Sequence, residues 1–278
     1  MVKIVTDSCS DITPQLAEKL GIRVVFLYVH FGNEVYRDNV DLSTEGFYNR
    51  LEQSKIFPTT STISPGFATE LFSELAEETN EILTITLSQL FSATYGAALQ
   101  GKAMVTRDCR IEVIDCQTAI GGQMLLTMKA AQMAHSGADL DQIAGWVRGA
   151  MSRVHVRVSF DTLEYLRRGG RIGKAQALLG SMLKVNPVIA IRDGATFPIA
   201  RPRSRAQAMD LLVDFVKGFK HIEALAIEDA TTPDELELLA ERLKDIVPPE
   251  RTYRSRVSPV VGAHLGPHAL AVSVLEGE

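Results

Sequence analysis

The most constraining feature of this chain is that short apolar runs alternate with helical stretches through its first half. The runs at 2–6, 82–87 and 111–115 are the length of strands, not helices, and are rich in β-branched residues. The stretches between them carry helix punctuation. Thr13-Pro14 supplies a cap and a first-turn proline for a helix that stops at Gly21. Ser43 opens a short helix over 43–53. Ser64-Pro65 opens another, with Phe67, Leu71, Phe72 and Leu75 on one face. Ser92 reads as the cap of the next. A helix over 123–135 ends at Gly137, and Leu140, Ile143, Trp146 and Val147 mark one more. Residues 23–31 and 34–37, separated by Gly32-Asn33, read as a hairpin. Strands alternating with helices imply an α/β arrangement: a largely parallel sheet with helices on both faces.

After about residue 152 the pattern changes. Val154, Val156 and Val158 alternate with polar residues, and Asp193-Gly194 lies between two β-like runs, a hairpin signal. Thr232-Pro233-Asp234-Glu235 has the form of a capping box, with Leu236, Leu239, Leu243 and Ile246 on one helical stripe. Runs at 253–257 and 269–275 close the chain as strands. Residues 153–278 therefore read as an α+β domain with an antiparallel sheet, following an α/β domain over 1–152. A length of 278 residues suits two domains.

Charge and cysteine content narrow the function. A net charge of −5 argues against a nucleic-acid surface. No apolar run approaches bilayer length, so stable membrane insertion is not expected. The N-terminus enters a strand directly, without the pattern of a signal peptide. Cys9, Cys109 and Cys116 are odd in number and have no CxxC spacing, which fits a reducing cytoplasm.

Three hydroxyl clusters stand where first-half strands end: Thr6-Asp7-Ser8, Thr59-Thr60-Ser61-Thr62-Ser64, and Ser88 with Ser92-Ala93-Thr94. Ligands of open α/β sheets collect at the carboxyl ends of the strands. Hydroxyls and helix N-termini there donate to an anion without adding charge. Each serine or threonine is equally a good helix cap.

The segment Leu166-Arg167-Arg168-Gly169-Gly170-Arg171-Ile172-Gly173-Lys174 follows a helix for which Asp161 is the expected cap. It reads either as an anion or partner-docking site, or as a glycine C-cap with arginines at the helix end. It matches no nucleotide-binding motif. Arg201, Arg203 and Arg205 would share one face if they lay on a strand. Gly266-Pro267 separates His264 from His268 and disfavours a helical metal pair, so no metal is expected. Asp7, Ser8 and Cys9 leave open a stand-alone phosphotransferase or hydrolase, although nothing nearby in the sequence would lower the thiol pKa.

Taken together, these motifs resemble the DegV family of bacterial fatty-acid-binding proteins over nearly the whole length. Thr6-Asp7-Ser8 with Asp11 and Pro14 resembles its TDS signature, and Tyr36-Arg37-Asp38-Asn39-Val40-Asp41 its Y-x-D-G-V-D segment. Pro58-Thr59-Thr60-Ser61 resembles P-x-T-S, and Phe91-Ser92-Ala93-Thr94-Tyr95 resembles L-S-G-T-Y. Residues 162–174 resemble T-L-x-Y-L-x-x-G-G-R-I-G, and Gly262-Ala263-His264-Leu265-Gly266-Pro267 resembles G-x-H-x-G-P.

The resemblance implies a buried long-chain fatty acid as ligand and no other cofactor. By position, Thr60 and Ser92 would hold its carboxylate, with Ser61 nearby and Arg203 and His264 near the mouth. Arg171 would meet a partner, an ATP-dependent fatty acid kinase that carries out the chemistry. A lipid-responsive regulatory protein is a further alternative. The chain departs from the family pattern at Asn39, Thr62-Ile63, Gln89 and Ala93.

Overall fold

A computed structural model describes residues 1–179 and 185–278. The first half builds β1 (Lys3–Asp7), α1 (Pro14–Lys19), β2 (Arg23–Val25), β3 (Tyr28–Phe31), β4 (Glu34–Arg37), α2 (Thr44–Gln53), β5 (Thr59–Ser61), α3 (Pro65–Leu75), β6 (Glu81–Thr86), α4 (Thr94–Met104), β7 (Arg110–Asp115), α5 (Ile120–His135) and α6 (Leu140–Ala150). Four strands form an all-parallel sheet in the order β2-β1-β6-β7, with Thr6 opposite Ile85 and Thr86 opposite Asp115. Residues 23–31 are therefore not one strand. The chain leaves the parallel sheet after Val25 and begins β3 at Tyr28, in a small antiparallel sheet ordered β4-β3-β5. Its third strand, β5, carries part of the threonine cluster, with Thr60 opposite Val29.

The second half adds β8 (Val154–Ser159), α7 (Glu164–Arg168), β9 (Val188–Arg192), β10 (Ala195–Ala200), α8 (Arg205–Lys217), β11 (Ile222–Asp229), α9 (Pro233–Leu243), β12 (Thr252–Arg256), α10 (Pro259–Leu265) and β13 (Leu270–Glu276). These strands make a six-stranded sheet ordered β10-β9-β8-β13-β11-β12. It is antiparallel except at one place. β12 returns parallel to β11, because α9 makes the intervening crossover. The β9–β10 hairpin turns at Asp193 and Gly194, both with positive φ, as a two-residue turn of this twist requires.

Helix α5 explains how the two large sheets share an interior. Residues 120–128 are all buried, as are Ala130 and Ala131, and such a helix belongs largely inside a protein. It packs against β1 of the parallel sheet and against β11 and β13 of the six-stranded one. Its N-cap, Ala119, offers no side-chain hydrogen bond. Instead Glu228 of β11 accepts from the Gly121 N–H at 2.8 Å. A carboxylate from the second sheet thus satisfies a helix end belonging to the first.

Several capping expectations fail for identifiable reasons. Thr232 makes no side-chain capping bond: its backbone, at φ −124° and ψ 60°, is not in the extended form of a cap, and its N–H goes to Asp229 Oδ2 at 2.9 Å. Asp161 does not cap α7. It bonds His268 and Asn186, while Thr162 Oγ1 accepts the Glu164 N–H. Arg201, Arg203 and Arg205 do not share a strand: β10 ends at Ala200, and Arg205 opens α8, where it pairs with Glu235. Among the described residues no helix is long and apolar enough to cross a membrane. All three cysteines are free thiols.

Candidate functional site

The loops at the carboxyl ends of the parallel strands face the Val158 and Ile189 side of the six-stranded sheet across a cavity of about 340 Å³. Ligand pockets commonly begin at about 300 Å³. Leu27, Leu87, Ile120, Val158, Ile191 and Val261 contribute apolar wall. Polar groups in the wall include Thr60, Ser61, Thr62, Ser92, Arg171 and His264.

Thr60 reaches the cavity from β5, and its Oγ1 lies 2.9 Å from His264 Nε2 on α10. His264 has an unusual environment. Its Nδ1 is buried against Gly169, without a partner among the described residues. A Cβ added at Gly169 would sit 2.2 Å from that nitrogen. Gly169 therefore makes room for the imidazole with an ordinary φ of −72°, and Gly170 takes the positive φ of the turn. Burial, with Arg171 adding to it, lowers the His264 pKa to about 4, so the ring is neutral near neutral pH. Its single proton belongs on Nε2, since a proton on Nδ1 would be a buried donor with no acceptor. Thr60 Oγ1 then accepts from His264 and keeps its own proton free to donate.

Ser92 is not the cap of α4. That place falls to Ala93, which makes no side-chain bond, and Ser92 Oγ instead lies 2.8 Å from Thr94 Oγ1. Ser64, by contrast, is a cap: its hydroxyl accepts the Phe67 N–H at 3.1 Å. Ser61 Oγ lies at the exposed rim, 2.7 Å from His30 Nε2. Ala93 has φ −77°, so its methyl in place of the family's glycine strains nothing. Asn39, the other glycine replacement, takes φ +55° and accepts from Thr44 with its side chain.

Arg171 is the one arginine or lysine among the described wall residues. Its Nε donates to Phe91 O at 2.9 Å and its Nη1 to Gly169 O at 2.5 Å, which fixes the guanidinium with no carboxylate partner among the described residues. Arg203 lies outside the cavity wall, exposed just before α8. His268 also points elsewhere, to Asp161 Oδ2 at 2.7 Å.

The Asp7-Ser8-Cys9 trio is occupied with structure. Asp7 accepts the Leu87 and Cys9 N–H groups, and Ser8 accepts the Leu27 N–H. Cys9 does reach the cavity wall, but burial and the neighbouring Asp7 push its thiol well above the usual range, the opposite of an activated nucleophile.

The DegV family model, described as an uncharacterised protein family, matches residues 1–277. The chain belongs to the DegV family. A DegV domain-containing protein of Caldanaerobacter subterraneus subsp. tengcongensis is 34% identical over 98% of this chain and 97% of its own length. Solved DegV structures share the fold throughout. A Thermus thermophilus DegV family protein described as binding fatty acid superposes with a TM-score of 0.90 at 27% identity, covering 99% of both chains. DegV of Bacillus subtilis, described as a fatty acid binding protein, gives 0.88 at 28% identity, again over 99% of both. A stearic acid-binding protein from Eubacterium ventriosum gives 0.90 at 25% identity, over 99% of this chain and 98% of that one.

Proposed function

We propose that this DegV protein is a cytoplasmic carrier that buries a long-chain fatty acid and presents its carboxylate to an ATP-dependent fatty acid kinase, which forms the acyl-phosphate. In this reading residues 1–152 supply the carboxylate loops and residues 153–278 close over the acyl chain. Thr60 and Ser92 hold the carboxylate, Ser61 lies at the rim, and His264 orients Thr60. Arg171, and Arg203 outside the wall, face the partner or the transferred phosphate.

The observation that carries the reading is the composition of one cavity: an apolar wall with neutral hydroxyl donors and, among the described residues, one fixed cation. Burying about 14 methylenes at roughly 0.8 kcal/mol each contributes on the order of 11 kcal/mol before association and ordering costs. Affinity then comes from the tail, and the head group needs only partners that avoid a desolvation penalty. Hydroxyls meet that need without a buried ion pair. The described relatives that bind fatty acids support the same ligand class.

Native mass spectrometry of gently purified protein is expected to show a bound fatty acid. A ligand-free mass that also fails to shift with added fatty acid would overturn the proposal. With the kinase present, Arg171→Ala is expected to lower phosphoryl transfer by more than it lowers fatty-acid affinity. Equal losses would make this side chain a structural strut for the 169–171 turn.

A further inference from the structure

Ser92 does not act alone. Its Oγ is 2.8 Å from Thr94 Oγ1, and Thr94 Oγ1 is 2.7 Å from Thr62 Oγ1. Both ends of this chain, Ser92 and Thr62, line the cavity, while Thr94 is buried at 2% exposure. Each hydroxyl has one proton, so Thr94 donates to one neighbour and accepts from the other. None of the three has a hydrogen bond to a backbone carbonyl among the described residues, so nothing in the fold fixes the direction. The ligand sets it.

Resting on the fatty-acid reading above, we infer that Thr62 and Thr94 are positioning residues that turn the Ser92 proton toward the ligand carboxylate. With an anion at Ser92, Thr62 donates to Thr94, Thr94 donates to Ser92, and Ser92 donates to the carboxylate. Every proton in the row is used, and each bond polarises the next. A neutral ester carbonyl accepts more weakly than a carboxylate and sets the row less firmly.

The test compares hexadecanoate with its methyl ester. Both fill the apolar wall, but only the acid presents a carboxylate. Thr94→Val and Thr62→Val, which keep side-chain shape, are expected to weaken hexadecanoate binding roughly three- to tenfold and to leave the ester nearly unchanged. Thr62→Ser, which keeps the hydroxyl, is expected to restore hexadecanoate affinity. Equal losses for acid and ester, unchanged acid affinity in both valine variants, or a Thr62→Ser protein no better than Thr62→Val would overturn the relay while leaving the fatty-acid reading intact. Failure of the unmodified protein to bind hexadecanoate would instead overturn that reading, and the relay with it. Thermal melts of the ligand-free variants separate loss of fold from loss of the head-group contact.

Discussion

Replacing Thr60 and Ser92 together by alanine is expected to weaken fatty-acid binding by at least about 100-fold while changing methyl-ester binding little. Each hydroxyl offers a charged acceptor one hydrogen bond, and bonds to charged groups contribute about 1.5–3 kcal/mol apiece. The tail contribution comes from walls such as Val158, Ile189 and Val261, which neither substitution touches. The double change is expected to exceed either single one by a wide margin. Thr60→Ala frees the His264 Nε2–H that Thr60 held at 2.9 Å, and that donor can turn toward the ligand. Ser92→Ala leaves Thr94, which has lost one of its two hydroxyl neighbours, able to orient a water. The measurement is isothermal titration of hexadecanoate and its methyl ester against all four proteins. A double variant that binds the acid as tightly as the unmodified protein would remove the carboxylate assignment and leave only an apolar cavity.

The elements of the fold were largely legible, because period and punctuation report local physics. Thr13-Pro14 and Ser64-Pro65 start helices where expected, and Asp193-Gly194 makes its hairpin. What could not be read was decided by distant partners. Thr232 has the spacing of a capping box, but its backbone is not in the extended form of a cap and its N–H goes to Asp229. Asp161 stands ahead of α7, but His268 and Asn186 take its carboxylate. The apolar run over 23–31 spans two sheets because it breaks between Val25 and Tyr28, and nothing in its hydropathy marks the break.

The site divides in the same way. Among the hydroxyl clusters, sequence gave Ser64 and Ser92 the same reading as caps. The structure gives one to a backbone N–H and the other to Thr94. Thr6 and Ser88 turn inward to the Ile85 and Gly194 carbonyls, so with Ser64 each of the three clusters serves partly as framework. Thr62 and Thr94 were visible as members of clusters, but their bond joins residues 32 positions apart and has no local signal. Arg171 was expected to face a partner, and the resemblance gave no sign that it also lines the cavity. Its two carbonyl acceptors are Phe91, 80 positions away, and Gly169, two positions away. The role of Gly169 is steric: it leaves space for His264, nearly a hundred positions further on, which no turn propensity encodes.

The stability of the ligand-free protein is expected to fall as pH rises from about 5 to about 8, by on the order of several kcal/mol. Five carboxyl residues are buried among the described residues, Asp7, Asp11, Asp38, Glu228 and Asp229, and burial raises Asp229 as it does the others. Burial raises Asp7 to about 6, Asp38 to about 7 and Glu228 to about 7. Asp11 goes up as well, through burial first and then through Glu228. Their unfolded values lie near about 3.9 for Asp and about 4.3 for Glu. A folded value above the unfolded one means that the folded state binds the proton more tightly. The associated stability is complete below about pH 4 and is lost as pH rises through 6 to 7. Exposed ion-paired acids act the other way. Asp41 and Glu164, held near 2 by Arg37 and by Arg167 with Arg168, lose their contribution only below about pH 4, outside this window. Asp38 and Asp11 also hold the start of α10, accepting the Val260 and Ser258 N–H groups. Those two bonds favour the ionised form and oppose the upward shift, which burial still dominates. Thermal denaturation at several pH values checks the slope, and Asp38→Asn is expected to flatten it. A melting temperature that stays level or rises between these limits would mean that the buried acids are already ionised and solvated in the folded protein.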